Sequence, residues 1–226
     1  MRYSAVLFDL DGTLIDTAAE IADGVNDTLA ELGLPQVTEQ QVRDWVGHGT
    51  QSLMVRACAE VQGLSEAAMH QTGQVPHQVM AVFGHRYLAR CGTRSQLYPH
   101  VREALVHLRE QGVRTAVVTN KESAYTQVIL DAHDLTPLLD RVVCGDTFPI
   151  RKPDPTGVLS CLEGFGVGRE QALFVGDSSV DVATARNAGV AVWALPYGYN
   201  LGQPIAASQP DRVVADFSVF LRAEAA

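Results

Sequence analysis

Five short apolar runs mark the chain, none with the polar alternation of a half-exposed strand. They are Ala5-Val6-Leu7-Phe8, Thr115-Ala116-Val117-Val118, Arg141-Val142-Val143, Ala172-Leu173-Phe174-Val175 and Val190-Ala191-Val192-Trp193. Rich in β-branched or aromatic residues, and mostly closed by Asp, Thr, Asn or Gly, they predict parallel strands buried on both faces. Between the later runs the period changes. His100 to Glu110 carries Val101, Leu105 and Leu108 at helical spacing, and Glu122 to Asp131, Thr156 to Phe165 and Ser178 to Ala188 read as further helices. Strand–helix alternation of this kind predicts an α/β fold with a doubly wound parallel sheet. Its ligand crevice should lie at the carboxyl ends of the strands.

From Thr17 to about Tyr98 the rhythm breaks, with helix patterns and no strand pattern. Ala18 to Leu32 is amphipathic and closed by Gly33. Glu39 to Val46, Gln51 to Val61 and Glu66 to Leu88 also read as helical, the last weakened by Gly73, Pro76 and Gly84. The expected division is residues 1–15 in the sheet domain, 16–92 as an inserted helical domain and 93–226 back in the sheet domain. The connections should fall near Asp16 and near Cys91-Gly92-Thr93. No internal repeat or low-complexity tract interrupts this organisation.

Length and composition narrow the class. A chain of 226 residues with 46% hydrophobic and 19% charged residues can bury a core without staples. A net charge of −9 argues against nucleic acid or an anionic membrane as partner, while leaving room for a small phosphorylated substrate in a locally charged site. No run approaches the ~20 apolar residues of a membrane span, and the first residues lack a signal-peptide pattern. Cys58, Cys91, Cys144 and Cys161 lie far apart without zinc spacing, which predicts reduced thiols and a cytoplasmic protein. The seven histidines form no metal motif. Monomer and homodimer are both open.

Candidate chemistry gathers at the ends of the predicted strands. Phe8-Asp9-Leu10-Asp11-Gly12-Thr13 puts two carboxylates at the mouth of the crevice. At ~4 Å two like charges repel by roughly 4 kcal/mol at an effective dielectric near 20, so the pair needs a cation beside it. Hard oxygen ligands favour Mg²⁺. Phe174-Val175-Gly176-Asp177-Ser178-Ser179-Val180-Asp181 ends a second strand in an acid, with Asp181 one turn into the next helix. Helix capping accounts for Ser178 or Asp177, but not for both acids together. Thr119 and Asn120 of Val118-Thr119-Asn120-Lys121 offer a hydroxyl and an amide to a phosphate oxygen. Lys152, in Arg151-Lys152-Pro153-Asp154-Pro155, offers an ammonium beside a helix start.

Together these segments resemble the four motifs of the haloacid dehalogenase-like superfamily, over the whole chain. The resemblance implies a Rossmann-like core with an inserted α-helical cap domain, Mg²⁺ dependence and an aspartyl-phosphate intermediate. It assigns Asp9 as nucleophile and Asp11 as general acid and then base. Thr119, with Asn120, would hold phosphoryl oxygens, and Lys152 would stabilise phosphate and nucleophile. The metal set is Asp9, the Asp11 carbonyl and Asp177, with Asp181 behind them, orienting a metal-bound water or Lys152. An acid at position 11 favours a phosphatase or phosphomutase over a dehalogenase. Val46-Gly47-His48-Gly49-Thr50 resembles the Gly-rich cap loop of bacterial phosphoglycolate phosphatases, which makes Gly47, His48 and Gly49 candidate substrate contacts. A plain inter-helix turn is the competing reading of that loop. Tyr197-Gly198-Tyr199-Asn200-Leu201-Gly202 is similar to a segment of the same family and reads as structural. The expected activity is hydrolysis of 2-phosphoglycolate. A phosphatase of another small metabolite (sugar phosphate, nucleoside monophosphate, pyridoxal phosphate) and a non-catalytic binding module remain as alternatives.

Overall fold

A computed structural model describes residues 2–67 and 77–222. Strand β1 (Ala5–Phe8) leads through a tight turn into the two-residue strand β2 (Ile15–Asp16). Helices α1 (Ala18–Glu31), α2 (Glu39–Trp45), α3 (Thr50–Gln62) and α4 (His77–Leu88) follow. The chain then runs through β3 (Gln96–Leu97), α5 (Val101–Glu110), β4 (Arg114–Val118), α6 (Ser123–Ala132) and β5 (Arg141–Val143). It ends with α7 (Thr156–Phe165), β6 (Ala172–Gly176), α8 (Ser179–Ala188), β7 (Ala191–Ala194) and β8 (Arg212–Val213).

Six strands form one wholly parallel sheet in the order β5-β4-β1-β6-β7-β8. Successive side chains of a strand face opposite sides, and both sides are covered here. Val6, Phe8, Val117 and Val175 share a core with Leu105 and Leu108 of α5 and Ile129 of α6. Ala5, Leu7, Val118 and Phe174 pack instead with Val158 and Leu162 of α7 and Val182 and Ala185 of α8. The doubly wound α/β sheet is thus as the apolar runs imply. Phe8 lies opposite Val117 on one side and Val175 on the other, so β1, β4 and β6 end at one level. The winding direction changes at β1, and the crevice opens there.

Ile21, Val25 and Leu29 give α1 a buried stripe that packs in the same core as Phe83 and Tyr87 of α4. Close approach needs Gly24, where a Cβ would lie 3.0 Å from the Tyr87 Cα. Thr38 and Gln41 close a reciprocal capping box at the start of α2. Between helices and sheet runs an antiparallel ribbon with Ile15 opposite Leu97 and Asp16 opposite Gln96. Glu20, fully buried in α1, accepts the Ser95 N–H at 3.0 Å and fastens the returning chain.

Some expectations need correction. Gln96–Leu97 is a strand inside the stretch read as strandless, and β8 was not foreseen. Each is only two residues long, too short for a period to register. Of the helix read over Glu66 to Leu88, Glu66, Ala67 and His77–Leu88 are helical; residues 68–76, with Gly73 and Pro76, lie outside the described residues. The four cysteines are free and buried. No helix among the described residues is long and apolar enough to cross a membrane.

Candidate active site

Asp9 is the first residue beyond β1, anchored by its N–H on the Val175 carbonyl at 3.0 Å. Asp177 follows β6, and Thr119 follows β4 with its N–H on the Val143 carbonyl at 2.9 Å. Three neighbouring strand tips therefore deliver two carboxylates and a hydroxyl to one spot. Asp181, one turn into α8, joins them: carboxylate oxygens of Asp9, Asp177 and Asp181 lie within 4.8 Å of one another, all three residues buried.

One ammonium faces this cluster. Lys152 Nζ is 2.8 Å from Asp9 Oδ1 and 2.7 Å from Asp181 Oδ1. Burial alone would lower the Lys152 pKa, but the Asp181 and Asp9 charges outweigh it and hold the ammonium protonated. It does not balance three carboxylates. Burial first, then Asp181, pushes Asp9 up to about 7 despite Lys152. Burial, Asp181 and Asp9 push Asp177 up as well, against the hydrogen bonds it accepts from the Thr13 hydroxyl and the Tyr199 N–H. A buried, hard-oxygen, net-negative cluster fits a divalent cation.

The Asp181 oxygens are fully engaged. Oδ2 accepts from Asp177 N at 3.2 Å, Ser178 N at 3.0 Å and Ser178 Oγ at 2.6 Å, while Oδ1 takes Lys152. Ser178 and Asp181 form the capping box of α8, so helix capping and the holding of Lys152 fall to the same side chain. Asp9 differs. Its Oδ1 accepts Leu10 N at 2.7 Å and Lys152, whereas Oδ2 meets no donor among the described residues.

Asp11 sits on the helical side. Its Oδ1 accepts from Thr17 Oγ1 at 2.6 Å and from Lys121 Nζ at 2.7 Å. A cavity of about 560 Å³, counting the part open to solvent, lies between sheet and helices. Asp9, Asp11, Thr119, Asn120, Lys121 and Asp177 line its polar end; Ile21, Val46, Leu53, Phe83 and Tyr87 line its apolar end. The mixed lining suits a small ligand with a few charged groups.

Comparison with known proteins agrees with this arrangement. The family model for haloacid dehalogenase-like hydrolase matches residues 6–195. The chain belongs to this family. It is 41% identical over 216 residues to a phosphoglycolate phosphatase of Pseudomonas putida, covering 96% of this chain and 78% of that protein. It is 38% identical over 217 residues to one of Vibrio cholerae, covering 96% and 94%. A solved structure of a predicted phosphoglycolate phosphatase from Haemophilus somnus superposes with a TM-score of 0.86 at 35% identity, covering 98% and 97% of the two chains.

Within this hydrolase fold the expected core residues converge, with differences in detail. Asn120 turns its amide to the backbone: Oδ1 accepts Lys152 N at 2.9 Å, and Nδ2 donates to the carbonyls of Lys152 and Gly47, each at 3.2 Å. It fixes the Lys152 loop against the helical segment. Gly47 and Gly49, both at positive φ, line the cavity. A Cβ on Gly49 would stand 2.6 Å from the Arg151 guanidinium. His48 between them is exposed and outside the lining; partial desolvation of its ring and the Arg56 charge lower its pKa.

Three residues without an assigned role in the sequence reading carry weight in the structure. Thr13 and Tyr199 hold Asp177. The Tyr199 hydroxyl also accepts the N–H groups of Thr17 and Ala18 at 2.9 and 3.0 Å, capping α1 where Thr17 offers no side-chain cap of its own. Lys121 is the third. A signal for it was available, since the chain has only two lysines, Lys121 and Lys152, against fifteen arginines. Both lysines are buried at this site.

Proposed function

We propose that this hydrolase is a Mg²⁺-dependent phosphatase of small phosphorylated metabolites, with 2-phosphoglycolate as its substrate and glycolate and phosphate as products. The carrying observation is Asp9 Oδ2, open to the cavity at a strand tip without a protein donor among the described residues, while Oδ1 is pinned by Leu10 N–H and Lys152. That oxygen is free to attack phosphorus in line, forming an aspartyl-phosphate as the ester bond breaks. Asp11 gives its proton to the departing glycolate oxygen. The resulting Asp11 carboxylate takes a proton from the water that then attacks the phosphoaspartate, releasing phosphate and restoring Asp9.

Thr119 can steady a phosphoryl oxygen, because its hydroxyl already accepts Lys121 N–H at 3.1 Å and keeps its own proton to donate. Lys152, held by Asp181, faces the charge that spreads over the phosphoryl oxygens. Asp9, Asp177 and the Asp11 carbonyl would hold Mg²⁺, which supplies the positive charge that the buried carboxylates lack. Residues 16–92 act as a cap that excludes water from the phosphoaspartate. The Gly47–Asn120 bond and the Thr50 Oγ1–Glu122 contact at 2.8 Å support a closed position. Free buried thiols suit a cytoplasmic enzyme.

A panel of phosphorylated metabolites assayed with Mg²⁺ tests this reading, with 2-phosphoglycolate expected to have the highest kcat/KM. Activity should vanish in chelator, and Asp9→Asn should abolish turnover in a folded protein. A flat substrate profile overturns the substrate, and substantial turnover by Asp9→Asn overturns the nucleophile.

A further inference from the structure

Lys121 has more to offer than its one ion pair uses. Its side chain is 4% exposed, and its ammonium carries three N–H donors. Asp11 Oδ1 at 2.7 Å is its sole hydrogen-bond acceptor among the described residues, and the Tyr87 ring lies 5.0 Å away. Among the described charged side chains lining the cavity it is the one cation, beside Asp9, Asp11 and Asp177. Lys152 is committed to Asp9 and Asp181. The phosphoryl group thus has its own counter-charges at one end, and a buried cation with spare donors waits at the other.

We propose that Lys121 is the residue through which this site reads a carboxylate on the leaving group, selecting phosphate esters whose ester carbon bears an acid. The proposal rests on the phosphatase reading above and deepens it. Position argues for it: a cation hydrogen-bonded to Asp11, the group that meets the leaving oxygen, stands just beyond that oxygen. In a phosphorylated 2-hydroxy acid the carboxylate carbon lies two bonds from the same oxygen. The walls argue for it too. Ile21, Leu53 and Phe83 give sugar hydroxyls or a nucleobase nothing to bond, and by excluding water they strengthen the attraction between ammonium and carboxylate. Lysine fits this task because its compact ammonium can serve Asp11 and a ligand oxygen with separate donors, without the span of a guanidinium.

The test compares 2-phosphoglycolate with ethyl phosphate, which lacks the acid, in the parent and in Lys121→Met. Loss of the Asp11 contact slows both esters, so the readout is the ratio of their kcat/KM values. A hydrogen bond to a charged group predicts that Lys121→Met lowers this ratio roughly 10- to 150-fold, chiefly through KM for the carboxylated ester. Lys121→Arg should recover part of it. A second measurement needs no variant: 3-phosphonopropionate should inhibit the parent at least ~10-fold more tightly than propylphosphonate. Equal losses on both esters, or equal inhibition by both phosphonates, overturn the role of Lys121. If the parent prefers another carboxylated ester and Lys121→Met still erases that preference, the substrate reading falls and this role stands. If 2-phosphoglycolate ranks first and its advantage survives in Lys121→Met, the reverse holds.

Discussion

Replacing Lys152 by methionine keeps most of the side-chain volume and removes the one cation among the described residues that touches the buried carboxylate cluster. The ammonium stands 2.8 Å from Asp9 and 2.7 Å from Asp181. At an effective dielectric near 20 each contact is worth about 6 kcal/mol of gross attraction. Desolvation of the three groups offsets most of that. Removing one member of a buried ion pair, however, typically costs about 3–5 kcal/mol, because the remaining charges stay buried without a partner. Here three carboxylates within 4.8 Å would be left facing one another, repelling by about 3.5 kcal/mol per pair on the same scale. The protein can escape in two ways: by taking up protons, which Asp9 already does near pH 7, or by binding a divalent cation. Urea unfolding of Lys152→Met in chelator at about pH 8 should therefore show a loss of about 3–5 kcal/mol with an unchanged m-value. Part of it should return near pH 6, and part on adding Mg²⁺. Turnover should fall at least ~100-fold even when metal restores stability, since the charge facing the phosphoryl oxygens is gone. A loss below ~1 kcal/mol in chelator would refute the charge argument, and so would an equal loss at every pH and metal concentration, which marks a packing defect.

The remaining predictions concern the surroundings of the same cluster. Asp9 has a folded pKa of about 7 against an ordinary 3.8, so the folded protein without metal binds protons that the unfolded chain releases. Its stabilising contribution is fully present below about pH 4 and lost as pH rises through about 7; melting in chelator should decline from about pH 4 to 7 and level off above, and saturating Mg²⁺ should flatten the decline. Gly198→Ala would put a Cβ into the Asp177 carboxylate on a backbone that otherwise accepts alanine, so Mg²⁺ affinity measured by titration should drop while the fold persists. Tyr199→Phe removes the hydroxyl that caps α1 but keeps the N–H on Asp177, so unfolding should show a loss of about 1 kcal/mol with metal affinity unchanged.

What could be read from the sequence follows the length scale of each signal. Strands β1, β4 and β6 are continuous apolar runs, and the acids and hydroxyl just past their ends had to emerge together once the runs were paired in parallel. Asp9, Asp177 and Thr119 were legible for that reason. Lys152 was legible from its turn, though not its grip on Asp181, which depends on how α8 is aimed by its own capping box. The roles of Asn120 and Tyr199 were hidden because each bonds partners far along the chain: Asn120 reaches Gly47 and the Lys152 backbone, and Tyr199 reaches Thr17 and Ala18. No periodicity reports such contacts. Lys121 is a different case, since its clue was compositional. Arginine serves the exposed ion pairs, as at Arg86–Glu31 and Arg94–Asp23, while the only two lysines are held back for the buried site. Fifteen guanidiniums on other duties leave two compact ammoniums, and the scarcity of the residue marks where a small, rotatable cation is needed.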